Sequence, residues 1–222
     1  MLINNFDELD ILFFSEMDLP TKEKYMRLKM ANDFEIRIKK FIQKQAEVAQ
    51  NKKLSKAEIL FALGLFTVPL IKQYRAFSSR YYESYVSLIS QKSRGNFNAD
   101  SWIKQHSVDF SNWIQETTAE NFDKDFVYSD QRINDIAKTE TNSLCELATL
   151  DGYYREGYKK KQWVSFVDKK TRNSHKVANG QIVPLNEPFS VGNSLLMFPQ
   201  DSSLGASAKE IVNCRCIMRP VK

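Results

Sequence analysis

Lys160-Lys-Gln-Trp-Val-Ser-Phe-Val-Asp168 is the stretch at which the pattern of the sequence changes. From Trp163 to Val167, β-branched and aromatic residues alternate as in a strand with one covered face. Upstream, the apolar residues recur at helical spacing instead. Between Leu19 and about Gln50, Met26, Leu28, Met30, Phe34, Ile36, Ile38, Phe41 and Ile42 fall three and four apart among Lys, Glu, Ala and Gln, which predicts one long amphipathic helix. Ser55, with Glu58 three residues on, makes a capping box for a second helix reaching about Ser90, and Pro69 should kink or divide it. The polar run Gln91–Asn98, with Gly95, breaks the pattern. Asp100 or Ser101 then opens a segment carrying Trp102, Ile103, Val108, Phe110, Trp113 and Ile114. Ser129 or Asp130 is the expected N-cap of a last helix, along which Ile133, Ile136, Ala137, Leu144, Ala148 and Leu150 share a face.

Beyond Trp163 the apolar runs are short: Gln181-Ile-Val-Pro-Leu, Leu195-Leu-Met-Phe and Ile217-Met-Arg-Pro-Val, punctuated by Gly180, Gly192 and Gly205. The fold expected is α+β, with a long, mostly helical region over 1–128 followed by a small α+β module over 129–222.

The chain has 222 residues, 42% hydrophobic and 27% charged, enough to bury a core. Its charge is unevenly placed. Residues 131–222 hold 14 Lys+Arg and 9 Asp+Glu, so the whole net charge of +5 (14 − 9) lies there; any polyanion should meet that part. Three cysteines, Cys145, Cys214 and Cys216, are too few and odd in number for a disulfide scaffold, and indicate a reducing compartment. Met1 to Leu12 is acidic where a secretory leader begins basic, so no leader is expected. The most apolar run, Ile59 to Ile71, is shorter than the ~20 residues a bilayer span needs, and no membrane partner is expected.

Glycine-rich phosphate loops, clustered metal boxes and nucleophile elbows have no match here. There are two histidines. His106, in a helix, reads as a surface or internally satisfied side chain. The informative residues lie in the C-terminal module: Asp168-Lys-Lys-Thr-Arg-Asn-Ser-His175 after the strand, then Asn179-Gly-Gln, then Met197-Phe-Pro before Asp201, and Asn213-Cys-Arg-Cys216 before the last strand.

With Lys138-Thr-Glu-Thr-Asn142 and Lys160-Lys-Gln-Trp163 ahead of them, and Gly180-Gln-Ile-Val-Pro184 between them, these segments resemble, in order and spacing over residues 137–219, the Mu F-like head morphogenesis proteins of tailed phages. Lys138 stands where the family usually has Arg. The resemblance marks Thr139, Glu140, Trp163, Asp168, Thr171, Arg172, His175, Gly180, Asn213, Cys214 and Cys216 as the shared residues. It implies a low-copy structural protein of the virion, inside the capsid near the portal and in the host cytoplasm during assembly. The implied partners are the portal and the scaffold or major capsid protein, with a further role at DNA ejection. In some relatives the head domain is joined to a toxin domain, so a virion-delivered enzyme such as a nuclease is the alternative. Here the chain closes directly after Cys216-Ile-Met-Arg-Pro-Val-Lys, where no appended catalytic domain is expected.

The residues themselves leave several readings open. Asp168 suits an Asx turn, and Thr171 and Arg172 could tie that loop to Thr139 and Glu140, with Glu140–Arg172 as the natural ion pair. His175, Cys214 and Cys216, with Asp168 as a fourth group, could ligate zinc, although the spacing is Cys-x-Cys where Cys-x2-Cys is usual. The expectation is no cofactor, the cluster serving as a polar staple of a small module. Catalysis by a Cys–His pair lacks orienting and oxyanion-binding partners. The basic run Arg155, Lys159, Lys160, Lys161, Lys169 and Lys170, interleaved with Tyr153, Tyr154, Tyr158 and Trp163, could contact DNA nonspecifically through phosphates and stacking; a solvated basic helix end is the plainer reading.

Overall fold

A computed structural model describes residues 18–92 and 97–222; the acidic Met1–Leu12 and Gly95 of the polar break lie outside them. Asp18 caps α1 (Leu19–Ala49), its carboxylate accepting from the Thr21 amide at 2.9 Å. The capping box forms as expected: Glu58 accepts from the Ser55 amide at 2.8 Å at the start of α2 (Lys56–Gly64). The chain then breaks at Leu65–Phe66, just ahead of Pro69, which lies in the first turn of α3 (Thr67–Ile89). Proline is tolerated there because a first-turn N–H has no helical acceptor. Asn98 caps α4 (Ala99–Glu120), and Ser129, after a 3-10 turn over Asp125–Tyr128, caps α5 (Asp130–Glu156), which ends on Gly157 at φ +81°.

Every residue of α5 from Ser143 to Tyr153 is buried. A helix covered all round is a core helix, and α5 lies against α1 on one side and α3 on another. Gly152 lets Ile89 of α3 come close, since a Cβ there would meet Ile89 Cγ2 at 2.3 Å. The residue 129 boundary expected from sequence is therefore an element boundary but not a gap in packing: one buried cluster runs from Met26 and Phe34 through Tyr74 and Phe110 to Leu147, Trp163, Phe198 and Met218.

Taken as one stretch, Lys56–Ile89 is long and apolar enough to cross a membrane by composition. It is divided into α2 and α3, however, and α3 turns hydroxyls toward charged partners. Tyr74 donates to Glu140 at 2.7 Å and Tyr82 to Asp151 at 2.6 Å, while Tyr85 accepts from Arg27 at 2.9 Å. These contacts tie α3 from Tyr74 onward into the core, while most of the apolar window that meets the criterion is not buried.

The module opens with β1 (Lys160–Val164), central in an antiparallel sheet between β2 (Ile182–Pro184) and β5 (Ile217–Val221). Trp163, opposite Met218, is fully buried. Between β1 and β2 lies the short α6 (Asn173–Ala178); β3 (Phe189–Val191) and β4 (Ser194–Leu196) form a hairpin, and α7 (Ala208–Ile211) precedes β5. The strand expected through Val167 stops at Val164, leaving Phe166 and Val167 exposed in the loop that follows.

Candidate functional site

Beyond β1 the chain must turn sharply to start α6, and Asp168 organises that turn. Its Oδ1 accepts from the Lys170 amide at 2.9 Å, from Thr171 Oγ1 at 2.9 Å and from Arg215 at 2.7 Å, the Asx arrangement expected of it. The Arg215 contact foremost holds its carboxyl well below the usual range. Arg172 donates to the Val212 carbonyl, fastening the loop to the segment before the cysteines. Gly180, at φ +85°, closes α6 in a backbone conformation that favours glycine, and its N–H returns to the Trp163 carbonyl at 2.9 Å.

Asn213 also has positive φ (+57°), which asparagine tolerates better than most residues. That turn brings Cys214 and Cys216 back over α6. Both sulfurs are buried and face one nitrogen: His175 Nδ1 is 3.5 Å from Cys214 Sγ and 3.3 Å from Cys216 Sγ. On the other side of the ring, Nε2 is 3.1 Å from Glu210 Oε2, itself held by Ser174 Oγ at 2.6 Å. Ser165 Oγ donates to the His175 carbonyl at 2.7 Å and lies 3.3 Å from Cys216 Sγ; the Cys216 N–H points at Cys214 Sγ at 3.4 Å. The hydrogen bond from Cys214 is the chief influence lowering the Cys216 thiol pKa, and the same contact, with burial, raises that of Cys214. His175, Cys214 and Cys216 are the residues here that could hold a metal ion, all three ligand atoms lying within 4.8 Å of one another.

The structure corrects several sequence expectations. Asp168 is not beside the cysteines; Glu210 takes the position next to His175. The expected Glu140–Arg172 pair does not form. Glu140 instead lies 2.6 Å from His106 Nε2 and accepts from Tyr74, so the Lys138–Asn142 motif faces the N-terminal helices, and Asn142 accepts from Arg27 at 3.4 Å. Thr139 is buried nearby, its hydroxyl without a hydrogen-bond partner among the described residues. His106 is internally satisfied, as expected, with Ser202 at 3.1 Å on its other nitrogen.

The basic run divides. Lys161 is wholly buried, donating to the Leu185 and Met197 carbonyls at 2.9 and 2.7 Å, and Arg155 is paired with the buried Asp151 at 2.6 Å. Neither is free to meet phosphate. Trp163 and Tyr153 are core residues and cannot stack on bases. Lys159, Lys160, Lys169 and Lys170 remain exposed. Sequence reading missed Glu210 and Ser165, because a glutamate in a four-residue helix and a serine after a strand carry no local pattern.

Residues 110–219 match the model of the family described as phage Mu protein F like protein. This part of the chain belongs to that family. The Mu F-like region thus begins inside α4, upstream of the motif segment at 137, and takes in all of α5. Over 143 residues, 63% of the chain, the sequence is 27% identical to a protein of Enterococcus faecalis (strain ATCC 700802 / V583) named NAD(+)–arginine ADP-ribosyltransferase EFV, covering 27% of it. Over 96 residues, 41% of the chain, it is 32% identical to a Bacillus subtilis (strain 168) protein named uncharacterized protein YqbB, covering 31% of it. The matched stretches thus span less than a third of either relative. No solved structure matches the chain.

Proposed function

We propose that the chain is a minor structural protein of a tailed-phage head, associated with the portal and acting in head assembly. The observation that carries this reading is the Mu F-like match over residues 110–219, within which Asp168, Gly180, Asn213 and the Cys–His cluster each have a structural task. The N-terminal helices supply a surface for a portal or capsid partner. At the α2–α3 corner, Phe61, Leu65 and Val68 are 74%, 63% and 60% exposed, and exposed apolar groups in proximity suit a protein interface. Co-expressed with the portal protein of its own phage, the chain should copurify with it, and Leu65→Glu with Val68→Glu should lower the yield of complex. Failure to copurify contradicts the portal assignment; undiminished recovery of the variant moves the contact elsewhere.

Nonspecific contact with packaged DNA belongs to the same reading and falls to Lys159, Lys160, Lys169 and Lys170. Affinity for duplex DNA should drop as salt rises, and Lys159→Ala with Lys160→Ala should flatten that dependence by about one unit of log–log slope per lost phosphate contact. A role at DNA ejection follows if the protein lies on the exit path. The alternative, an enzyme delivered with the virion, draws on the transferase name of one relative, of which 27% is matched; the purified chain should show no ADP-ribosyl transfer from NAD to arginine.

A further inference from the structure

We infer that His175 Nδ1, Cys214 Sγ and Cys216 Sγ are the three protein ligands of a zinc ion, with a fourth position open to a small adjoining cavity. The distances support this. Zinc bonds of ~2.0–2.1 Å to nitrogen and ~2.3 Å to sulfur, set tetrahedrally, place nitrogen and sulfur about 3.6 Å apart along an edge. The observed Nδ1–Sγ separations of 3.5 and 3.3 Å are close to that edge. Cys-x-Cys spacing is uncommon for zinc, but the turn at Asn213 brings both sulfurs to one side of the loop.

The surrounding residues orient the ligands as a metal requires. The Glu210 carboxylate on Nε2 keeps the proton there, so that Nδ1 presents its lone pair to the sulfurs. Ser174 fixes Glu210 in turn. The Cys216 amide directed at Cys214 Sγ stabilises a thiolate, as a hydrogen bond to a charged form does. A cation satisfies all three atoms at once, and each thiol gives up its proton on binding. The cavity beside the cluster, about 20 Å³ and edged by Thr171, Arg172 and Arg215, has room for a single water as the fourth ligand. The site is independent of the head-protein reading.

The test uses the untagged full chain, stripped with chelator and exchanged into metal-free buffer. Zinc added alone should be retained at about one ion per chain through dialysis. Cobalt(II) in its place should give thiolate-to-metal charge-transfer absorption and the strong visible bands of four-coordination. Cys214→Ser and Cys216→Ser should each abolish both signals, while Cys145→Ser, at the buried third cysteine on α5, should keep them. Glu210→Gln should weaken zinc binding about 10–100-fold without abolishing it. If a variant fails to fold, the wild type still decides: zinc should raise its melting temperature, and chelator should reverse the rise. Folded wild-type protein that retains under about a tenth of an equivalent, or a Cys214→Ser/Cys216→Ser variant that binds zinc like wild type, overturns the site.

Discussion

Lys161 shows how a residue's neighbours, more than its type, decide its role. By type it belongs to a basic stretch; in place, its ammonium caps two carbonyls beneath the Phe189 ring, and burial draws its pKa down from 10.5 to about 8. Between those values the unfolded chain keeps a proton that the folded protein has lost, so stability rises with pH across that window. Relative to Lys161→Met, the wild type should therefore gain up to about 3 kcal/mol from pH 8 to pH 10.5, measured by paired denaturant titrations; a flat difference contradicts the buried, neutralising lysine. Asn213→Gly should cost little and Asn213→Ala about 1 kcal/mol, because alanine resists the left-handed backbone; equal stability of the two would remove the strain argument. The motif residues were legible in the sequence, but their partners were not. Glu140 looked like the mate of Arg172 because opposite charges in one module invite pairing. The actual mates, His106 and Tyr74, stand 34 and 66 residues away on helices the motif does not mention.

At the scale of elements, caps and periodicities did most of the predictive work. The Ser55–Glu58 box and the cap at Ser129 stand where local chemistry puts them, and along α1 Met26, Met30, Phe34, Ile38, Phe41 and Ile42 are buried as their spacing predicts, whereas Leu28 and Ile36, expected on the same face, are 63% and 48% exposed. β3 was missed because Phe189-Ser-Val191 lacks the run of adjacent apolar residues that marked the segments of β2 and β4, which are equally short. What joins the elements was also invisible in advance. Arg27 of α1 lies 2.7 Å from the buried Glu146 of α5, whose other oxygen accepts from the Met218 amide of β5 at 3.1 Å. One carboxylate thus fastens the first helix, the central helix and the last strand. Glu146→Ala leaves an uncompensated guanidinium and an unpaired amide and should cost about 3–5 kcal/mol. Arg27→Met with Glu146→Leu should recover much of that loss. A single-variant cost below about 1 kcal/mol would show the pair to be incidental.

In the whole molecule, the helical region and the module share α5. That sharing was not legible, because a helix buried on all sides looks amphipathic when only the apolar half of its lining is read; Thr141, Ser143, Glu146 and Asp151 are buried too. The expected consequence is a single cooperative unfolding transition, with far- and near-ultraviolet dichroism coincident. Two separated transitions would make residues 1–128 an independent arm. The central claim, that this is a component of the phage head, is tested most directly by quantitative mass spectrometry of density-purified, DNA-filled particles of the encoding phage. Peptides from this chain should be present in fixed ratio to the portal protein and far below the major capsid protein. Their absence from the particles, with the chain found only free in the lysate, would contradict it.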